Sequence, residues 1–213
     1  MGPTKGPAGG LNPPASPETR KAASFISRVP WWLVALVGLV VTSPVLLVAV
    51  IAIAIDDGFP AFFSQERVGR QMKPFRMHKL RTMVRDAEAA CGPVLAEESD
   101  ARITAVGGVL RKFRVDEIPQ FINIIKGEMS FVGPRPERPF FVEQYIAETP
   151  GYRERFSVKP GVTGLAQVSG GYATTPERKL KYDLIYMYHQ TLAMDAQIVA
   201  ETLRVVLTGR GAR

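Results

Sequence analysis

Cysteine is almost absent from this chain of 213 residues: Cys91 stands alone, which excludes a disulfide framework and any cluster of cysteine metal ligands. Histidine is nearly as scarce, with only His78 and His189, so a zinc enzyme or a histidine-based triad fits poorly. The chain has no Walker loop, no dinucleotide glycine fingerprint and no protein-kinase signature. It also lacks an internal repeat and a heptad seam. Charged residues make up 22%, but 46% of the chain is hydrophobic, too apolar for disorder throughout. Negative charge is the rarer sign, with 20 Asp and Glu against 27 Lys and Arg. Residues 1–60 hold four basic and three acidic groups, which leaves 23 against 17 for the remainder. The positive excess therefore lies after residue 60, where it suits anionic lipid or phosphate ligands, although basic surfaces without a ligand are common.

Residues 1–27 are rich in Gly, Pro, Ala, Ser and Thr and read as a flexible tail, because they cannot bury enough apolar surface to offset ordering. Residues 28–57 read as a membrane helix: positions 29–55 are uncharged, and Trp31 and Trp32 open them as an interfacial aromatic pair. Such a helix reaches about 40 Å against a hydrocarbon core of about 30 Å, so length permits a crossing. The centre argues for another path. Pro44 removes the hydrogen bond to the Val40 carbonyl, and Ser43 can turn its hydroxyl back to Leu39 or Val40, so the helix is expected to break at Ser43 and Pro44. The flanks give no orientation, since Arg20, Lys21 and Arg28 precede the segment and Arg67, Arg70 and Lys73 follow it. A re-entrant helix with both ends on the cytoplasmic face accounts for that balance. A spanning helix with a tolerated proline is the alternative, and the length of the apolar run disfavours a signal peptide.

Residues 58–213 read as a globular domain, α+β but mostly helical, with one small antiparallel β-hairpin. Phe62–Val68 and Pro74–Leu80 alternate as strands around a turn over 69–73, with Phe75 and Met77 on one face. Helical patterns follow: the end of one over 109–114, another over 118–126 stopped by Gly127, and a third over 140–148 ended by Pro150 and Gly151. Two more cover 176–188, with Leu180, Leu184 and Met187 in register, and 196–207, with Ile198, Val199, Thr202, Leu203 and Val206. These stripes would serve a core, a membrane face or a homodimer equally.

Asp116 and Glu117 stand side by side where the helix over 118–126 begins. Asp116 can be its N-cap, Pro119 is tolerated in the first turn, and the helix dipole favours ionised carboxylates there. Simple capping would explain an isolated pair. The neighbours point further, with Arg111, Lys112 and Arg114 upstream and Gly133-Pro134-Arg135-Pro136 downstream. Pro136 excludes the helical region for Arg135 and Pro134 fixes its own φ, so Arg135 loses little backbone entropy when it binds. Its planar fork matches phosphate oxygens. Lys79 and Arg81, at the end of the second strand, add two further cations. Two carboxylates among fixed cations suit a phosphate or diphosphate substrate, with a divalent ion bridging carboxylate and phosphate oxygens. Phosphoryl transfer is the natural reaction, because a carboxylate can attack phosphorus and form an acyl phosphate.

A set of ordered blocks carries a family resemblance: the Ser43-Pro44 break, Gln65-Glu66-Arg67-Val68-Gly69, Lys79-Leu80-Arg81-Thr82-Met83, Asp116-Glu117-Ile118-Pro119-Gln120, the run over 127–137, the run over 159–167, and Tyr182-Asp183-Leu184. Together they resemble the small monotopic phosphoglycosyl transferases, bacterial sugar transferases that start polysaccharide and glycoconjugate assembly. The resemblance implies an inner-membrane protein with a re-entrant helix and its catalytic domain on the cytoplasmic face. It implies transfer of a sugar-1-phosphate from a UDP-sugar to polyprenyl (undecaprenyl) phosphate, giving a polyprenyl diphosphate sugar and UMP. By analogy Asp116 is the nucleophile, holds the phosphosugar covalently and ligates Mg2+, while Glu117 deprotonates or positions the lipid phosphate. Arg111 and Arg135 match arginines around the substrate phosphates, with Lys79 and Arg81 as further candidates, and Gln167 and Arg138 as nucleotide or sugar contacts. Residues 92–94 and Pro136-Glu137-Arg138-Pro139 look like relatives that use UDP-glucose or UDP-galactose.

The chain also departs from the family pattern. Met72 stands where the hairpin turn often has glycine, Gly170-Gly171 replaces a frequent asparagine-glycine-arginine run together with Ser169, and His189-Gln190 is unusual. The alternative function is a membrane-tethered binding or scaffold module without catalysis, which would not need Asp116. Nucleic acid is disfavoured as a partner, because the basic residues lack aromatic interleaving.

Overall fold

The computed structural model describes residues 31–89, 92–95, 100–170 and 175–208. The expected tail, the basic residues Arg20, Lys21 and Arg28, and Gly171 lie outside the described residues. The described chain is mostly helical, with a small antiparallel hairpin and one long apolar helix at the start.

Helix α1 (Trp31–Asp57) is apolar on every side, and among the described residues it is the one helix long and apolar enough to cross a membrane. The expected break does not divide it into two helices, since α1 continues through Pro44 as one element. The physical reason is local: Ser43 Oγ donates to the Val40 carbonyl at 2.7 Å, so the acceptor that Pro44 orphans is satisfied within the same turn. Thr42 Oγ1 also donates back within its turn, to the Gly38 carbonyl at 2.7 Å. Near the start of α1, Trp31 and Ala35 pack with Phe121, Ile124 and Phe131. Near its end, Ala49 and Ile53 join Ala61, Leu80 and Leu110. Gly38 lies against Phe121 so closely that a Cβ would sit 2.9 Å from the ring.

Strands β1 (Phe62–Val68) and β2 (Pro74–Leu80) pair antiparallel with the expected bounds, Phe62 opposite Leu80 and Val68 opposite Pro74. Phe75 and Met77 are buried, as the alternation predicts. The turn uses left-handed backbone at Gln71 (φ 56) and Met72 (φ 61), which explains why a glycine would suit position 72.

Helix α2 (Ala105–Lys112) starts at Thr104, whose hydroxyl accepts from the Gly107 amide at 3.0 Å. The helix expected over 118–126 is instead a 3-10 turn, Val115–Gln120, that runs into the short helix α3 (Phe121–Ile125). Asp116 is therefore not an N-cap but the second residue of the turn, and the capping position belongs to Arg114 in left-handed backbone. Two three-residue strands, β3 (Ser130–Val132) and β4 (Gly161–Thr163), form a parallel pair the sequence did not suggest. Gly161 is essential to that pairing, since a Cβ would lie 2.1 Å from the Gly133 nitrogen. The remaining helices, α4 (Pro139–Glu148), α5 (Leu165–Gly170), α6 (Pro176–His189) and α7 (Leu192–Thr208), complete the body. Gln190 has a structural role: its amide donates to the Tyr186 hydroxyl at 2.9 Å, which in turn donates to Asp195 at 2.8 Å.

Candidate active site

The hairpin, the 3-10 turn, the segment after β3 and the described residues among 81–102 enclose a cavity of about 960 Å3. Eleven Lys and Arg side chains line it against five carboxylates, so it attracts anions. Asp116 and Glu117 lie on its wall, 6% and 5% exposed. They have opposite surroundings. Glu117 is gripped by three cations: Lys79 Nζ at 2.9 Å, Arg135 Nη2 at 3.1 Å and Arg114 Nη1 at 3.4 Å. Asp116 has a looser hold, with Lys79 at 3.8 Å as its ion pair among the described residues.

The titration of the two groups follows. Burial pushes Asp116 above its ordinary range; Lys79 and Arg111 oppose that rise and the Glu117 charge adds to it. Burial acts the same way on Glu117, but Lys79, Arg135 and Arg114 outweigh it and hold that carboxyl far below the usual range. Glu117 is thus a fixed anion that organises cations, and Asp116 is the carboxylate whose charge is least compensated.

The other expected site residues divide into two groups. Lys79, Arg111 and Arg135 do converge on the carboxylates, with Arg111 Nε donating to Thr82 Oγ1 at 2.8 Å. Arg81 lines the cavity but spends its Nη2 on the end of α1, through the Asp57 carbonyl at 2.9 Å and carboxylate at 3.1 Å. Arg138 forms a bidentate pair with Glu88, both bonds 2.7 Å. Gln167 lines the cavity and donates to the Val162 carbonyl at 3.1 Å.

The segment that carries Arg135 is held by devices that sequence reasoning missed. Four successive carbonyls accept from remote donors: Pro134 from the Gly161 amide at 3.0 Å, Arg135 from Arg155 Nη2 at 2.9 Å, Pro136 from Arg67 Nη1 at 3.1 Å and Glu137 from the Val68 amide at 2.9 Å. Arg155 is itself fixed by Asp183 of α6, Nε to Oδ2 at 2.9 Å, and by the Tyr152 hydroxyl at 2.6 Å. Arg155 and Asp183 are 3% and 2% exposed. One signal was available, because Asp183 interrupts the apolar stripe of Leu180, Leu184 and Met187.

A divalent cation here would have Asp116 as its protein ligand. Among the described residues no group of three His, Cys, Asp or Glu could form an all-protein cage. Mg2+ commonly takes one or two carboxylates and completes its shell with phosphate oxygens and water, which is what the loosely held Asp116 in a phosphate-attracting cavity would provide.

Comparison with known proteins identifies the family independently of this geometry. Residues 22–209 match the family described as bacterial sugar transferase. A UDP-N-acetylgalactosamine-undecaprenyl-phosphate N-acetylgalactosaminephosphotransferase of Aeromonas hydrophila is 41% identical over 193 residues, 89% of this chain and 45% of that protein. A UDP-glucose:undecaprenyl-phosphate glucose-1-phosphate transferase of Caulobacter vibrioides is 37% identical over 200 residues, 92% of this chain and 74% of that one. An undecaprenyl-phosphate galactose phosphotransferase of Salmonella typhimurium is 33% identical, covering 91% and 43%. The chain thus spans less than half the length of the Aeromonas and Salmonella proteins. On the match over residues 22–209, the chain belongs to the bacterial sugar transferase family.

Proposed function

We propose that this chain transfers a sugar-1-phosphate from a UDP-sugar to polyprenyl phosphate through a covalent aspartyl intermediate. The observation that carries the reading is the split pair: a buried, loosely held Asp116 beside a Glu117 saturated by cations, in a cavity that attracts phosphate. An Asp116 oxygen attacks the β-phosphorus, the bond from that phosphorus to the bridging oxygen breaks, and UMP leaves with the electron pair. An oxygen of the lipid phosphate then attacks the same phosphorus, releases Asp116 and forms the diphosphate. Arg111 and Arg135 balance charge on the phosphates, and Lys79 screens the approach of an anion to Asp116. Magnesium held by Asp116 and phosphate oxygens would neutralise further charge when bound.

Of the two roles open to Glu117, positioning has the better support. A carboxylate pinned by three cations is a poor base, and a phosphate monoester with its second pKa near 6 is largely ionised at neutral pH without one. The relatives' names span N-acetylgalactosamine, glucose and galactose, so they do not select one donor.

The membrane arrangement we infer is re-entrant on the cytoplasmic face, with the change of direction a bend at Pro44 inside the one helical element. It is supported by the packing of both ends of α1 on one body: Ala35 against Phe121 and Phe131, and Ile53 against Leu80 and Leu110. These residues are about 27 Å apart along a helix, nearly a hydrocarbon thickness, so a perpendicular crossing would separate contacts that share one domain.

The test is UMP release from UDP-N-acetylgalactosamine, UDP-glucose and UDP-galactose by nanodisc-embedded protein with magnesium and polyprenyl phosphate, wild type against Asp116→Asn. Release that requires one donor, the lipid and Asp116 is expected. Equal activity of the variant refutes the nucleophile. No turnover of any donor favours a non-catalytic tethered module.

A further inference from the structure

The cavity has two unlike walls. Cations stand around the carboxylates, but Phe63, Val84, Val94 and Leu95 line the same space with 45, 42, 42 and 50% of their surface exposed. The hairpin register sets Phe63 directly opposite Lys79, so both side chains leave the same face of the sheet. Lys79 is the cation that reaches both Glu117 and Asp116. An apolar ring therefore stands one side chain from the carboxylate pair.

The uracil of a UDP-sugar could cover one aromatic ring, but its ribose, phosphates and sugar are polar and leave the aliphatic Val84, Val94 and Leu95 uncovered. Clustered exposed apolar side chains beside a polar site mark a place where an apolar ligand is covered. The wall also has a direction. Pro60 lines the cavity, Phe59 beside it is exposed, and both follow directly on α1, whose last turns expose Ile51 and Ile55. Exposed apolar side chains thus occur both on the cavity wall and on the membrane helix that Phe59 and Pro60 follow, and a ligand with an anionic head and an apolar tail complements both.

We propose that Phe63, Val84, Val94 and Leu95 form the seat of the first isoprene units of the polyprenyl phosphate acceptor, separate from the donor site. This rests on the transferase reading above. The lipid phosphate meets the cations, the chain lies along Phe63 and Leu95, and it leaves past Phe59 into the bilayer beside α1. The two substrates then share the phosphorus-transfer point and little else, which suits successive rather than simultaneous occupation.

The experiment measures KM for C55 polyprenyl phosphate and for the UDP-sugar in nanodiscs, using Phe63→Ala, Phe63→Leu and Leu95→Ala, with binding to phosphatidylglycerol vesicles measured in parallel. Phe63 is half exposed, so its variants should fold, and Phe63→Leu keeps an apolar surface. For Phe63→Ala the lipid KM should rise about tenfold, equivalent to about 1.4 kcal/mol. Phe63→Leu should recover most of that, with donor KM and vesicle binding unchanged. An equal rise in donor KM assigns the wall to the nucleotide sugar and overturns the proposal. Reduced vesicle binding with an unchanged lipid KM assigns it to the bilayer and overturns it too, as does a Phe63→Ala enzyme with wild-type KM for both substrates. A wild type that releases no UMP from any donor brings down the transferase reading and the acceptor seat with it.

Discussion

Asp183→Asn isolates the support behind Arg135. The substitution keeps the shape of the side chain and one oxygen for Arg155 but removes the charge, in a place where Arg155 and Asp183 are 3% and 2% exposed. Removing one partner of a buried pair costs about 3–5 kcal/mol because the other charge is left uncompensated. Glu137 also acts on Arg155, and burial pushes the Asp183 carboxyl itself above its ordinary range, so the lower end applies, about 3 kcal/mol; the loss arises because Arg155 is left without its buried partner, whereas Lys79 keeps Glu117 when Asp116 is neutralised. At about 2–4 °C per kcal/mol for a domain of this size, Tm should fall by about 6–12 °C. Activity should fall separately. Arg155 Nη2 holds the Arg135 carbonyl at 2.9 Å, and the Arg135 guanidinium is 3.1 Å from Glu117. A shift of about 1 Å in a positioning group costs on the order of a hundredfold. The assay is kcat/KM for the UDP-sugar from UMP release, measured well below each variant's Tm. Arg155→Lys retains a charge for Asp183 but loses the fork that reaches Arg135, so it should lose more rate than stability. In an Arg135→Ala background the rate effect of Asp183→Asn should vanish while the loss of stability persists. A variant that loses the full stability with unchanged kcat/KM, or a rate effect that survives in Arg135→Ala, would refute the positioning argument.

Asp116→Asn should abolish turnover and raise Tm: a carboxyl with a raised pKa contributes stability below its unfolded value of 3.8 and loses it as pH rises through the folded value, so at neutral pH the ionised group destabilises. Thermal unfolding at pH 7 checks this, and a lower Tm for the variant would contradict it. Met72→Gly should stabilise by about 0.5–1 kcal/mol, because Met72 holds a φ of 61 that glycine adopts without strain; denaturant midpoints decide the sign. Gly38→Val should destabilise by about 1–3 kcal/mol by pushing Phe121, the residue after the 3-10 turn, and should slow UMP release as well; unchanged stability would mean that α1 is not tightly docked.

What the sequence made legible and what it hid differ by the range of the causes. The hairpin was readable because alternation in Phe62–Val68 and Pro74–Leu80 has a period of two, and the helices of the C-terminal half because Leu180, Leu184 and Met187 repeat at helical spacing. Ser43 answering the carbonyl orphaned by Pro44 was readable because both lie within one turn. The pair of β3 and β4 was hidden, since three residues carry no period and the partner is about thirty positions away. The helix start at Asp116 misread a 3-10 turn, because an acidic first turn with proline has the same composition in either geometry. Asp116 and Glu117 were visible as a pair, but their unlike roles depend on three cations brought from β2, the turn and the segment after β3, which no local pattern encodes.

The difference between the two carboxylates comes from reach. Glu117, one methylene longer, meets Lys79, Arg114 and Arg135 within 3.4 Å, whereas Asp116 stops 3.8 Å from Lys79. Lengthening Asp116 would close that gap. In Asp116→Glu the carboxylate draws closer to Lys79, which lowers its pKa, weakens it as a nucleophile and moves its oxygens by about 1 Å, so kcat should fall by about a hundredfold although charge is conserved. The acid limb of the kcat/KM profile should shift to lower pH at the same time, because the raised value of Asp116 depends on burial with little compensation. Near-normal kcat with the acid limb unmoved would show that the attacking carboxylate is set by something other than its distance from Lys79.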